Sequence, residues 1–390
     1  MPYLWQTETM KKRLIYLAVT AVLCIALGIA SRLSVSFSEW YAVTVYPLWV
    51  AAIGRVFGLF PFSVAEILLM LLIAGGLVAF VILIVKLKKS KNYRKAVLTG
   101  SGVNLACVAS TALLIFILCC GINYNRKPFL YGEDFTVEAY TQDQLWAVYI
   151  ALCEEIDEVI PHIQTGEHGE FILTGDLHKT APEAMRNLAK TYPQLDVYYP
   201  QPKPVLTSSL MADAWVAGVF SPYTIEANYN NIVLESEKAV TAIHELAHVA
   251  GFMREEEANF IAFLAARESG DPELVYSGLL NGIRWFRSEI IKRGIRSEVE
   301  RNAVMPEQAL HEVYRQSAFW RERRVNTTYV FDEAGEVVDV VVTKKPVADV
   351  IGEVSTAVND GYLKTQGQEA GVESYGRMID LVIAMYLNEE

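Results

Sequence analysis

Three long apolar stretches in the first third of the chain limit its fold more than any other feature: about Leu14 to Leu33, about Pro61 to Val85 and about Val97 to Ile122. Each reaches the roughly 20 residues that an α-helix needs to cross the hydrocarbon core of a bilayer. A backbone in lipid must satisfy its own hydrogen bonds, so each stretch reads as a transmembrane helix. Lys11, Lys12 and Arg13 before the first stretch look like the start of a secretory signal. Its apolar run exceeds the usual signal core and no small-residue cleavage site follows, which predicts an uncleaved signal anchor.

Charge divides the chain into two parts. Residues 1–122 carry 11 Lys and Arg against 3 acidic side chains, a net +8, while residues 123–390 carry 23 basic and 42 acidic side chains, a net −19. The expected organisation is a membrane anchor over 1–122, with the lipid bilayer as its partner, and an acidic globular domain over 123–390. Nucleic acid, which needs a basic face, is not an expected partner. Lys11, Lys12, Arg13 and the cluster Lys86, Lys88, Lys89, Lys91, Arg94 and Lys95 belong on the cytoplasmic side. Three crossings then predict a cytoplasmic N-terminus and an extracytoplasmic C-terminal domain in the cell membrane. The apolar segment 40–60 contains Pro47 and Arg55 and reads as an interfacial or re-entrant helix on the outer surface.

Beyond the anchor, helical spacing marks Thr141 to Ile160, where Thr141 and Gln144 fit a capping box, and about Pro182 to Thr191. Phe171 to Leu173, Val197 to Tyr199, Trp215 to Phe220 and Ile232 to Leu234 read as short extended pieces, with an irregular connection at Pro200, Pro202 and Pro204. The rest is mostly helical, at about Glu256 to Arg267, Tyr276 to Arg293, Pro306 to Glu322 and Val372 to Tyr386. One β-hairpin is expected, from Thr328 to Phe331 and Val337 to Val342 around a turn at Asp332-Glu333-Ala334-Gly335.

The run His244-Glu245-Leu246-Ala247-His248 carries the chemistry. Residues four apart share one helix face, so the two imidazoles can bind one ion, and Glu245 beside them can reach a metal-activated water. Zn2+ is the expected cofactor. Its neighbours Thr241-Ala242-Ile243 and Val249-Ala250 are uncharged, and Gly251 offers a helix stop. Glu255-Glu256-Glu257-Ala258-Asn259 then opens a second helix able to turn a carboxylate onto the same ion. Glu257 is the expected third ligand, because the small Ala258 after it lets the helices pack closely; Glu255 and Glu256 read as solvated acids of the helix start. A cysteine zinc site is excluded, since Cys153 is the one cysteine outside the apolar runs.

Together with Gly251-Phe252 and Phe260, this constellation resembles the HExxH proteins of the gluzincin type. More closely it is similar to the bacterial membrane family of unknown function called DUF3810. That likeness covers the three spans, Asn123-Tyr124 with Arg126, Pro222-Tyr223-Thr224 with Glu226-Ala227, Tyr276-Ser277-Gly278, Tyr362-Leu363-Lys364 and Gly371-Val372-Glu373-Ser374-Tyr375-Gly376. The resemblance implies an α+β architecture: three transmembrane helices, then a mostly helical zincin-like domain with a small mixed sheet. It further implies an edge strand within Ala217 to Asn231 that pairs with an extended peptide. Two departures stand out. The spacing from His248 to Glu257 is shorter than in the best-known gluzincins, and Ile261 replaces an Asp that often supports the histidine there.

The expected function is a membrane-anchored zinc metallopeptidase in which Glu245 is the general base and a peptide or protein is the substrate. His311, Tyr362 and Tyr375 are the available oxyanion stabilisers downstream, each also readable as an ordinary surface or core residue. The competing reading is a non-catalytic zinc-binding sensor or interaction domain. A third is hydrolysis of a non-peptide amide. Glu245 has no task in a purely structural zinc site, which favours the enzyme. The sequence carries no signal for oligomeric state.

Overall fold

A computed structural model describes residues 2–89, 91–130, 140–331, 337–368, 371 and 377–389. The chain forms two compact units, Met1–Lys127 with Ser221–Ile225, and Pro128–Phe220 with Glu226–Glu390. It is mostly helical with small sheets.

Among the described residues, the first unit holds four helices long and apolar enough to cross a membrane by length and composition. They are α1 (Pro2–Leu33), α2 (Val35–Gly58), α3 (Val64–Lys89) and α4 (Arg94–Asn125). Segment 40–60, expected as an interfacial piece, is thus the body of a continuous helix, loosened by π turns at Tyr41–Val45 and Val50–Gly54. Small polar groups join α1 to α4. Tyr16 Oη lies 2.7 Å from Thr111 Oγ1, Thr20 Oγ1 donates to Ser110 Oγ at 3.0 Å, and Asn125 Nδ2 donates to Ser31 Oγ at 3.4 Å. Residue numbers rise together along both helices, so α1 and α4 run parallel.

Helix α2 is bonded at the C-terminal ends of α1 and α4. Ser34 caps it, Ser38 Oγ donates to the Ser31 carbonyl at 3.0 Å, and Tyr41 Oη to the Leu118 carbonyl at 2.8 Å. The buried Arg126 guanidinium donates twice to the Glu39 carboxylate, which also accepts the Lys127 N–H. A bidentate pair of this kind fixes direction as well as distance.

In the second unit α5 (Gln142–Val159) opens on the expected Thr141/Gln144 capping box. A two-residue ribbon, β1 (Gln164–Thr165) with β2 (Phe171–Ile172), follows. Helix α6 (Leu177–Leu188) starts five residues before the expected Pro182, at an Asp176 N-cap, and carries that proline inside. Val197 to Tyr199 and Ile232 to Leu234 are not strands. The strands lie instead at β3 (Lys203–Pro204) and β5 (Glu226–Tyr229). Three prolines obscured the first, and β5 is only four residues of mixed polarity. A short helix α7 (Ser208–Asp213) separates β3 from β4 (Gly218–Ser221). The sheet order is β3-β5-β4, with β3 parallel to β5. The four residues between β4 and β5 permit only a hairpin, which makes the sheet mixed and β4 an edge.

The core is completed by α8 (Glu235–Val249), α9 (Glu255–Arg267) and α10 (Pro272–Lys292), and a short α11 (Glu298–Ala303) without buried residues follows. Helix α8 packs on α6, α9, α10 and β5 and is buried along most of its length. Beyond it run α12 (Glu307–Arg324), the ribbon of β6 (Val325–Phe331) with β7 (Val337–Lys344), α13 (Pro346–Thr365) and α14 (Met378–Glu389). The ribbon was expected; its turn at 332–335 lies outside the described residues. Helix α13 was not expected, because its valines together with Gly352 and Gly361 blur the helical pattern.

Candidate metal centre

His244 and His248 stand one turn apart on α8, with ring centroids 4.7 Å apart and nearly perpendicular. The helix then ends in a Schellman turn. Gly251 takes φ +87, its N–H bonds the His248 carbonyl, and the Phe252 N–H bonds the Ala247 carbonyl. That turn aims the Phe252 carbonyl back at His248 Nδ1, 2.8 Å away. A carbonyl only accepts, so Nδ1 carries the hydrogen and Nε2 presents its lone pair outward.

Glu255, the first residue of α9, faces that nitrogen. Its Oε2 lies 3.3 Å from His244 Nε2 and 3.6 Å from His248 Nε2. The three residues offer donor atoms all within 4.8 Å of one another, the one such group of His, Cys, Asp and Glu among the described residues. Zinc bound at about 2.05 Å in a tetrahedral site sets its ligands about 3.3 Å apart, so these separations fit a shared ion. Glu255 Oε2, Glu245 Oε2 and His244 Nδ1 are buried with no hydrogen-bond partner among the described residues. Buried polar atoms are rarely left so, and a cation held between the first of these and the two Nε2 atoms would supply the missing partner.

The structure brings Glu255, and not the expected Glu257, to the two histidines. The Glu257 carboxylate accepts the Phe129 N–H at 2.8 Å and Arg254 Nε at 2.9 Å. Residues two apart on a helix point about 200° apart, so Glu255 and Glu257 cannot both face α8. Ala258, the small residue that permits close packing, shares its face with Glu255 three positions earlier. That spacing is the signal that identifies Glu255. Glu256 points elsewhere, accepting from Gln368 Nε2 at 2.7 Å.

Burial pushes the Glu245 carboxyl up to about 7, against the pull of both imidazoles. Burial disfavours charge on His248, yet the Glu255 carboxylate outweighs it and raises the ring to about 9. Burial also opposes charge on Glu255, but the imidazoles hold it down at about 2. Without a metal the site therefore holds a proton on His248. The edge strand lies against the site: a Cβ at Gly218 would collide with the Glu245 carboxylate, and the Phe220 ring lies 6.2 Å from the His248 ring, tilted by 41°. His311 is exposed on α12, near Gly169, and Tyr362 sits on α13; neither belongs to the cluster. Tyr375 lies outside the described residues.

Long apolar helices followed by a mostly helical unit with small sheets and this donor group fit a membrane protein with a candidate metal centre. Residues 41–383 match the family described as Protein of unknown function (DUF3810), and the chain belongs to it. Comparisons with curated proteins and with solved structures return no match.

Proposed function

We propose that the chain is a membrane-anchored, zinc-dependent peptidase of zincin-like fold, with His244, His248 and Glu255 holding Zn2+ and Glu245 as general base. The observation that carries this reading is the pairing of three convergent donors with an adjacent buried carboxylate that has a free oxygen. A bound dication acidifies water and polarises a carbonyl. Glu245, raised to about 7, takes the proton of the attacking water and returns it to the leaving amine. Edge strand β4, with Val219 exposed, offers backbone groups to an extended peptide, which favours peptide over other amides. A structural zinc site leaves Glu245 without a task.

The anchor supports an outer location for the domain. Parallel α1 and α4 place Lys11, Lys12 and Arg13 at the same end as Arg94 and Lys95. With the short link between α3 and α4 read as a reversal of direction, α3 begins at the opposite end, where α2 also begins. Helix α2 is about 36 Å long, and the five residues 59–63 reach at most about 18 Å. Lying across that end, α2 starts and finishes on one side; crossing would leave the link too short. Three crossings with both basic clusters cytoplasmic then set residues after 125 outside.

Metal analysis of the purified full chain, with a quenched peptide library as substrate, tests the reading. One bound zinc, cleavage by the wild type and loss of cleavage with retained zinc in Glu245→Gln support it. Zinc binding without any cleavage moves the protein to the sensor class.

A further inference from the structure

The segment carrying the edge strand is bracketed by two strained residues. Trp215 has φ +60 and Ile225 φ +52, a left-handed conformation that bulky and β-branched side chains avoid. Such conformations persist where the surroundings impose them. At Trp215 the surroundings are explicit. The Arg324 guanidinium, on the last residue of α12, stacks 4.1 Å from the ring. On α13, a Cβ at Gly352 would collide with the indole, so the helix backbone lies against it. The indole N–H is buried with no partner among the described residues, so hydrogen bonding does not explain the tryptophan.

Bonds on the other side of Trp215 lead to the metal centre. Asn230, fully buried, donates its side-chain amide to the Val216 carbonyl at 3.1 Å and its N–H to the Ala217 carbonyl at 2.7 Å. The next residue is Gly218, packed on the Glu245 carboxylate. Only Val216 and Ala217 therefore separate the clamped residue from the point where the strand covers the general base.

We infer that Trp215 is a positioning residue: held between Arg324 and α13, it sets the place of β4 over Glu245, and the C-terminal arm thereby controls the strand that receives substrate. The consequence for substrate rests on the peptidase reading; the clamp itself does not.

Hydrogen exchange on the zinc-loaded full chain in detergent tests the clamp. In Gly352→Ala, amide exchange over 216–220 rises about tenfold or more, while 244–248 and Zn2+ affinity stay within about twofold. Arg324→Leu, on the exposed side of the ring, gives a smaller rise in the same amides and guards against a folding defect in the first variant. Trp215→Phe, which keeps a stacking ring, restores near wild-type exchange, whereas Trp215→Ala does not. With a cleaved peptide, the clamp variants raise KM and leave kcat within about threefold. Wild-type exchange at 216–220 in both Gly352→Ala and Arg324→Leu, or an equal rise at 244–248, overturns the inference. Selective exchange with no peptide cleaved by the wild type upholds the clamp and removes the peptidase reading.

Discussion

His248 donates its Nδ1 hydrogen to the Phe252 carbonyl at 2.8 Å, and this bond decides what the other ring nitrogen offers. The geometry follows from Gly251, whose positive φ closes the turn between the two residues. Gly251→Ala strains the backbone by about 1–2 kcal/mol. It also releases the ring, and zinc affinity is expected to fall about 10- to 100-fold. Competition with a calibrated chelator measures it; unchanged affinity would show that the carbonyl does not orient the ligand.

Glu255 and Glu257 separate into two roles. Glu255→Gln removes a charged donor from the cluster and lowers zinc affinity by more than about 100-fold, beyond what an outer partner costs. Glu257→Ala keeps the zinc but strands the buried Phe129 N–H, destabilising the fold by about 1–3 kcal/mol. Metal content and urea unfolding of the two variants distinguish these outcomes, and the reverse pattern would restore Glu257 as the ligand.

Gly218→Ala places a methyl group against the Glu245 carboxylate. Displacement of a catalytic group by about 1 Å reduces turnover about 100-fold. Zinc content is expected to stay at the wild-type value. Full activity in this variant would mean that Glu245 is not held by the strand.

The metal-free protein has a pH signature. His248 is raised from 6.5 to about 9, so its contribution to stability is complete below pH 6.5 and disappears as pH rises through about 9. Glu255 is lowered from 4.5 to about 2, so its contribution is complete above pH 4.5 and disappears as pH falls through about 2. Burial raises Glu245 to about 7, which subtracts stability above its unfolded pKa of 4.5, fully so above about 7. Stability of the chelated protein should therefore decline from mildly acid towards alkaline pH, and His248→Gln should flatten the decline. Thermal unfolding from pH 5 to 9.5 measures both; a rise in Tm towards pH 9 contradicts the assignment.

Cysteine labelling tests the anchor. Leu59→Cys and Gln164→Cys are expected to react with an impermeant maleimide from outside intact cells, and Lys91→Cys only after permeabilisation. Reaction of Leu59→Cys from the cytoplasmic side alone would make α2 a fourth crossing and bring the domain inside.

Local pattern made much of this legible. Spans need only length and apolarity, and the α5 capping box needs only two residues three apart. The histidines needed only the helix period. Local pattern failed where partners are distant. The strand at Lys203–Pro204 exists because β5 pairs with it in parallel and because Lys203 finds Glu226 within the buried sheet. Helix α13 exists because Gly352 lets it lie on Trp215.

The sequence by itself determined that this chain has an apolar basic anchor and a motif helix offering two imidazoles and a carboxylate, since both depend on short-range periodicity. Tertiary structure alone decided which of three consecutive glutamates faces those imidazoles. The rotation of α9 is set by packing at Ala258 and by the capture of Glu257, locally by Arg254 and from 128 residues away by the Phe129 N–H, a contact that no local pattern encodes.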